Sequence, residues 1–245
     1  ETGPPETAAL AASFNHLSEE LRRAQDAERA FLLSVSHELR TPLTAIRGHA
    51  EGLLDGVLEP GKAGDVIERE ARRLERLIGD LLDLARLRRR SFDVGREALD
   101  LRAVAEEGVE RFSPRARDFG VTLERGGSGA QCPALGDHDR LLQAVSHLVE
   151  NAIRCAPRGG TVRIVTAPGR IDVVDDGPGL EADELDRAFE RFFLYERYGS
   201  DRPIGTGLGL AVVQELAQAM GGTASVVSAP GRGSSFSITL PTPPG

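Results

Sequence analysis

Four short stretches of this chain carry residue types and spacings that can do chemistry. The first is Ser36-His37-Glu38-Leu39-Arg40-Thr41-Pro42-Leu43. A neutral imidazole nitrogen can attack a phosphoryl group, and a carboxylate that accepts the proton of the other ring nitrogen makes it a better nucleophile. His37 is therefore a candidate nucleophile and Glu38 its candidate base. Thr41 lies one helical turn beyond His37, where its hydroxyl can orient a water. Pro42 has no N–H to offer the carbonyl of Glu38, so a helix here should bend or loosen, at about 3 kcal/mol in an ordinary helix. The bland alternative is a lone histidine on an exposed helical surface.

The second stretch is His147-Leu148-Val149-Glu150-Asn151-Ala152-Ile153-Arg154. His147 and Asn151 are four apart and share a helical face, with Arg154 about one turn further on, so all three can point into one site. An asparagine carbonyl suits Mg²⁺ that bridges phosphates, and an arginine suits the phosphates themselves. The third, Asp175-Asp176-Gly177-Pro178-Gly179, follows a β-like run and reads by itself as a strand-to-turn signal. The fourth, Gly205-Thr206-Gly207-Leu208-Gly209-Leu210, opens a helix whose free amides can face phosphate oxygens. Between the last two, Phe189-Glu190-Arg191-Phe192-Phe193 leads into a polar stretch ending at Pro203 that suits a mobile lid. Phe189 and Phe192 read as core. Arg191, Arg197 and Arg202 read either as solvated charges or as phosphate contacts.

The elements that must position these residues fall into two groups. From about Ala8 to Leu58 the sequence is helical, and from Phe31 onward its apolar residues repeat as a heptad. Leu32, Leu39, Ile46 and Leu53 form one seam position, and Ser36, Leu43, Ala50 and Val57 the other, which leaves His37 just off the seam. Ile67, Leu74 and Leu81, with Ala71, Ile78 and Ala85, continue the pattern after the break at Glu59-Pro60-Gly61 and Gly64. So short a connection makes an antiparallel helical hairpin, and two hairpins in a homodimer would complete a four-helix bundle. Beyond Arg88-Arg89-Arg90, with a boundary near residues 90 to 96, the pattern becomes α/β. Strands are predicted at Glu97 to Leu101, Val121 to Arg125, near Ala134, Thr161 to Ala167, Arg170 to Asp175, Thr223 to Ser228 and Ser234 to Leu240. Helices are predicted at Arg102 to Arg117, Asp137 to Cys155 and Leu208 to Met220, and the long stretch between Asp175 and Leu208 is left irregular. Tightly joined strand pairs imply a mixed, largely antiparallel sheet with helices on one face. Neither a Walker-type loop nor a Rossmann glycine motif is present.

Composition narrows the classes further. The 245 residues carry a net charge of −8 and only one lysine, Lys62, with no basic patch interleaved with aromatics, which argues against nucleic acid as a partner. No apolar run approaches the roughly 18 to 20 residues of a membrane span. Cys132 and Cys155 lack metal-ligand spacing and read as reduced thiols. The chain does not start with Met, and a segment preceding residue 1 is expected.

Taken in order along the chain, these stretches resemble the conserved boxes of histidine kinases. The first resembles the phosphoacceptor box, the second the N box, the third the G1 box, Phe189 to Phe193 the F box, and the fourth the G2 box. N, G1 and G2 boxes are shared with the ATPases of gyrase and heat-shock protein 90. The resemblance implies three segments: residues 1–23 as the end of a HAMP-like signalling helix, 24–92 as a dimerisation and histidine phosphotransfer domain, and 96–245 as a catalytic ATP-binding domain. The implied fold is a helical hairpin in a dimeric four-helix bundle, followed by an α+β sandwich of the Bergerat type.

The resemblance also assigns roles. His37 is implied as the phosphorylated residue, Glu38 as base and Thr41 as the residue assisting phosphatase action. Asn151 is implied to hold Mg²⁺, Arg154 to meet phosphate and Asp175 to accept from the adenine amino group. Gly177, Gly179, Arg191, Gly205, Thr206, Gly207, Leu208 and Gly209 complete the implied ATP site. Two residues depart from the family pattern: His147 stands where a second asparagine is common, and Arg154 where a lysine is. Gly231-Arg232-Gly233 resembles the domain's terminal glycine turn and reads as structural. The implied activity is autophosphorylation from ATP and transfer to an aspartate of a response regulator. A phosphatase-dominant variant and a nonenzymatic nucleotide-sensing scaffold are the alternatives. The chain is then expected to be the cytoplasmic portion of a bacterial inner-membrane protein, tied to the membrane only by an upstream segment.

Overall fold

The computed structural model describes residues 5–87, 94–127, 131–198 and 205–243. The boundary run Arg88 to Arg90 and the lid tip with Arg202 lie outside the described residues. The chain divides into two compact units, Glu1–Leu74 and Glu75–Gly245.

The first unit is built on α1 (Pro5–Leu54) and the opening half of α2 (Pro60–Leu87). Gly56, at φ 67°, ends α1 in the left-handed conformation that glycine adopts without penalty. The amides of Val57 and Leu58 both donate to the carbonyl of Gly52. The Leu58 side chain then lies so close over Gly52 that a Cβ there would fall 2.6 Å from it. Pro60 starts α2, where its missing N–H costs nothing.

Helix α1 runs through Pro42, which is buried. Within one chain, Phe31, Val35, Glu38, Pro42, Ala45, His49 and Gly52 are covered at least in part, as are Leu39, Ile46, Ala50 and Leu53 of the predicted seam, whereas Leu32, Leu43 and Val57 of that seam stay 56%, 59% and 78% exposed. The apolar stripe is wider than one seam, and its outer margin is exposed among the described residues.

The second unit is an α/β sandwich. A five-stranded sheet runs in the order β2 (Thr122–Gly127), β4 (Thr161–Ala167), β5 (Arg170–Asp175), β7 (Ser234–Thr239), β6 (Thr223–Ser228). Only the β2–β4 pair is parallel. β1 (Glu97–Asp100) and β3 (Pro133–Gly136) form a separate antiparallel ribbon. Helices α3 (Leu101–Phe119), α4 (His138–Cys155) and α6 (Gly209–Ala219) cover one sheet face. The strands alternate by the pleat, so Val162, Ile164, Ile171, Val173, Phe236 and Ile238 face the helices and are buried. The helices' apolar stripes meet them: Val104, Ala105 and Phe112 of α3, Leu148, Val149 and Ile153 of α4, Val212 and Leu216 of α6.

The stretch from Leu180 to Tyr198 is more ordered than predicted. It forms a 3₁₀ turn (Ala182–Arg187) and a short helix α5 (Phe193–Tyr198). Their common anchor is Glu184, fully buried, whose carboxylate accepts from the Tyr198 hydroxyl at 2.7 Å, from the Glu181 amide at 2.8 Å, and from Arg197.

Candidate phosphoacceptor and nucleotide site

In the first unit, neighbouring positions on α1 face opposite environments. A helix turns about 100° per residue, so His37 points outward with its side chain 76% exposed while the Glu38 side chain is 9% exposed. The Nδ1 of His37 lies 3.6 Å from Glu38 Oε1. The other carboxylate oxygen, Oε2, accepts from Arg73 Nη2 on α2 at 2.9 Å. Thr41 donates its hydroxyl to the carbonyl of His37 at 3.3 Å, the back-bond typical of threonine within a helix.

In the second unit, a cavity of about 600 Å³ opens between α4, the end of β5 and the glycine loop before α6. Helix α4 begins at Asp137, whose side chain accepts from the Arg140 amide at 3.1 Å. Its apolar stripe packs on the sheet, which turns Gln143, His147, Asn151 and Arg154 toward the cavity at helical spacing. Arg154 is held by Glu150, its Nη1 3.7 Å from Oε2, and Glu150 accepts in turn from Arg115 of α3 at 2.9 Å. Burial lowers the pKa of Arg154 against the pull of Glu150, yet a guanidinium stays charged near neutrality.

Strand alternation explains Asp175. It is two and four residues beyond Val173 and Ile171, so it belongs to the buried row and ends it at the cavity, 3% exposed. Its Oδ1 accepts from the Gly177 amide at 2.8 Å. The second oxygen is on the same cavity-lining carboxylate, the right chemistry for an amino group of a base.

The protein's own packing crowds these glycines, and Gly179 and Gly207 also have positive φ. A Cβ on Gly177 would lie 2.5 Å from Asp175 Oδ1 and 3.0 Å from the carbonyl of Cys155. On Gly179, at φ 73°, it would lie 2.0 Å from the carbonyl of Ala229. In the second glycine loop, added Cβ atoms would meet Arg154 at Gly205, the Phe192 ring at Gly207 and His147 at Gly209. Close approach therefore occurs between chain segments that frame the cavity. Helix α6 starts with no side-chain cap, so its first amides keep their capacity for an outside acceptor. Gly233, in the last glycine turn, packs against the carbonyl of Asp175, as the structural reading of that turn anticipates.

Of the residues predicted for the nucleotide, Asn151, Arg154, Asp175, Gly179, Gly205, Thr206, Gly207 and Gly209 line the cavity. Three do not. Arg191 turns to Glu215 of α6, 3.6 Å away. Leu208 is fully buried as the residue preceding α6, and Gly177 packs beneath Asp175. Phe189 stacks edge-on against Phe236 at 6.0 Å, and Phe192 is buried at φ 61° with its amide bonded to the carbonyl of Gly207. Both are core residues, as read from the sequence.

No motif in the chain marks Asp80. It lies in the portion of α2 that belongs to the second unit, accepts from the Thr206 hydroxyl, and sits 3.7 Å from His147 Nε2. Burial raises its pKa, with His147 and the Thr206 hydrogen bond pulling the other way. His147, the departure from the family's asparagine, thus faces a carboxylate at the cavity wall. Among the described residues, no cluster of three histidine, cysteine or carboxylate side chains could hold a metal.

Comparisons with known proteins agree with this geometry. The family profile of histidine kinase-, DNA gyrase B- and HSP90-like ATPases matches residues 136–244, and that of the His kinase A phosphoacceptor domain matches 27–90. The sensor-like histidine kinase SenX3 of Mycolicibacterium smegmatis is 34% identical over 229 residues, covering 91% of this chain and 59% of its own. The chain spans a little over half the length of the curated relatives it matches first. Among solved structures, the Acinetobacter baumannii histidine kinase AdeS superposes with a TM-score of 0.69 at 27% identity, over 85% of this chain and 98% of that one. Full-length ShkA in complex with AMPPNP superposes with a TM-score of 0.63 at 29% identity, over 87% of this chain and 46% of that one.

Proposed function

Because the chain belongs to the sensor histidine kinases of two-component systems, we propose that it binds ATP in the cavity of its second unit, phosphorylates His37, and passes the phosphoryl group to an aspartate of a response regulator. The observation that carries this reading is convergence. Asn151 and Arg154 from one helix, Asp175 from a strand end and the loop Gly205 to Gly209 line a single cavity of nucleotide size. Asp175 is the proposed partner of the adenine amino group, Arg154 and the α6 amides of the phosphates.

Mg²⁺ fits this donor set through the nucleotide. Asn151 supplies a neutral oxygen beside the phosphate-facing residues, and a cation that keeps its waters and takes most ligands from phosphates needs little more from the protein. When bound it would neutralise phosphate charge. The protein's own task is then mostly positioning and electrostatic stabilisation.

Further parts of the reading rest on the same family membership. The exposed apolar residues Leu32 and Leu43 of α1, with Val57 in the turn that follows it, suit burial against a second copy in a four-helix bundle. Residues 1–23 are proposed as the end of a HAMP-like helix, 24–92 as the phosphotransfer domain and 96–245 as the catalytic domain of a bacterial inner-membrane protein's cytoplasmic portion. Thr41 is the proposed aid to phosphatase action, and its replacement by alanine should impair dephosphorylation of the regulator while sparing autophosphorylation.

The test is incubation of the purified chain with γ-labelled ATP. It should acquire an acid-labile, base-stable phosphate that is lost in His37→Gln. A label retained by that variant removes His37 from the reaction.

A further inference from the structure

Glu38 is held by a residue that no sequence motif of the chain singles out. Its carboxylate is divided between two neighbours: Oε2 accepts a charge-assisted hydrogen bond from Arg73 at 2.9 Å, and Oε1 faces His37 Nδ1 at 3.6 Å. Both members of the Arg73–Glu38 pair are nearly covered, with side chains 12% and 9% exposed. Arg73 also lies 3.7 Å from Glu70, one turn earlier on α2. The adjacent Arg72 behaves differently: 67% exposed, it bonds Glu68 on its own helix. Of two consecutive arginines, one therefore serves the surface and the other reaches across the hairpin to the carboxylate beside the nucleophile.

We propose that Arg73 is the positioning residue of the phosphoacceptor site, clamping Oε2 of Glu38 so that Oε1 addresses Nδ1 of His37 and leaves Nε2 as the attacking nitrogen. This rests on the reading of His37 as the phosphorylated residue. A carboxylate this covered is costly to leave without its cation, so without Arg73 it must turn outward or take up a proton. Either change removes the fixed acceptor for Nδ1–H. With the clamp in place, Nδ1 carries the proton and the Nε2 lone pair projects into solvent, as the tautomer of a histidine follows the hydrogen bond at its other nitrogen. At 3.6 Å the two groups are one side-chain adjustment short of a hydrogen bond, which is ordinary for a catalytic pair without substrate. In the reaction Nε2 forms the N–P bond as the bond from the γ-phosphorus to the β,γ-bridging oxygen breaks. ADP leaves with that electron pair, and Glu38 Oε1 takes the Nδ1 proton.

The experiment compares wild type, Arg73→Gln and Arg73→Lys in the full 245-residue chain. ¹⁵N spectra of the His37 ring should show the Nδ1–H tautomer in wild type and a shift toward Nε2–H in Arg73→Gln. Single-turnover phosphorylation at saturating ATP should fall roughly 100-fold, the lower end of what a positioned base contributes. Affinity for a fluorescent ATP analogue should stay unchanged, and Arg73→Lys should recover part of both losses. A folded Arg73→Gln with wild-type tautomer and rate overturns the proposal. If Arg73→Gln does not fold, Arg73→Lys decides, since a single ammonium cannot reproduce the two-headed guanidinium, and a wild-type tautomer and rate there overturn it equally. Absence of label on His37 in wild type would instead refute the proposed function, while the tautomer measurement would still report on the clamp.

Discussion

Replacement of Glu184 by glutamine tests how the segment beside the nucleotide cavity is held. Glu184 is fully buried, and burial alone would raise its pKa. The hydrogen bonds from the Tyr198 hydroxyl and the Glu181 amide, with Arg197 nearby, outweigh burial and hold it below the usual glutamate range. Glutamine keeps the shape but loses the charge and presents an amide donor to at least one of these donors. A hydrogen bond to a charged group contributes about 1.5–3 kcal/mol and a neutral one about 0.5–1.5 kcal/mol. Weakening two of them in this way costs roughly 2–3 kcal/mol, and the pair with the half-exposed Arg197 adds little. For a domain of 150–250 residues this lowers the melting temperature by about 4–12 °C.

The same prediction fixes a pH dependence. A carboxylate with a depressed folded-state pKa contributes stability that is present above its unfolded value, about 4.3, and is lost as pH falls through the lower folded value. The gap between wild type and Glu184→Gln should therefore be full at pH 7 and shrink below about pH 4.3. Calorimetric melts of both proteins from pH 7 downward measure it. Tyr198 lines the cavity, so affinity for a fluorescent ATP analogue should fall in parallel. Equal melting temperatures at pH 7, or a gap independent of pH, would refute the account of Glu184 as a charged anchor.

Gly179→Ala places a Cβ 2.0 Å from the carbonyl of Ala229 at φ 73°, and backbone strain of about 1–3 kcal/mol adds to the clash. Its melting temperature should drop by more than that of Glu184→Gln, with nucleotide binding lost; an unchanged melt would mean that the turn can move freely. Asp80→Asn tests the opposite sign. A carboxylate whose pKa burial raises favours folding below its unfolded value, about 3.9, and that contribution is lost as pH rises through the folded value. The asparagine variant should melt no lower than wild type at pH 7, and any advantage should vanish below about pH 4. A clear loss of stability at pH 7 would mean that the ionised Asp80–His147 pair is net favourable.

The parts legible in the sequence are those set by local periodicity. Short β-like runs revealed β4, β5 and β7 and placed the Asp175 motif at a strand end. The four-residue spacing of His147 and Asn151 sufficed to put both on one wall of the cavity. Which margin of the broad apolar stripe meets its own α2 was not legible, and the residues buried on α1 include Glu38 and Pro42. The segment Leu180 to Tyr198 escaped for a different reason: elements of six residues have too little periodicity to detect, and here a buried carboxylate organises them.

Long-range pairing explains the remaining gaps, including the glycines. Arg73 and Glu38 are 35 residues apart, as are Arg115 and Glu150, and Asp80 and Thr206 are 126 apart. No local pattern marks a charged residue as one that will be covered, because Arg, Asp and Glu at helical spacing ordinarily face water. The glycine boxes were visible as composition, but their reason lay in the carbonyls of Ala229 and Cys155 and in the Phe192 ring, each contributed by another segment. For His37 the division is the same. Its exposure and its neighbour Glu38 follow from one turn of helix, whereas the orientation of that neighbour depends on Arg73 from α2. Reading His37 as a candidate nucleophile needs eight consecutive residues; proposing which of its nitrogens attacks needs the second helix.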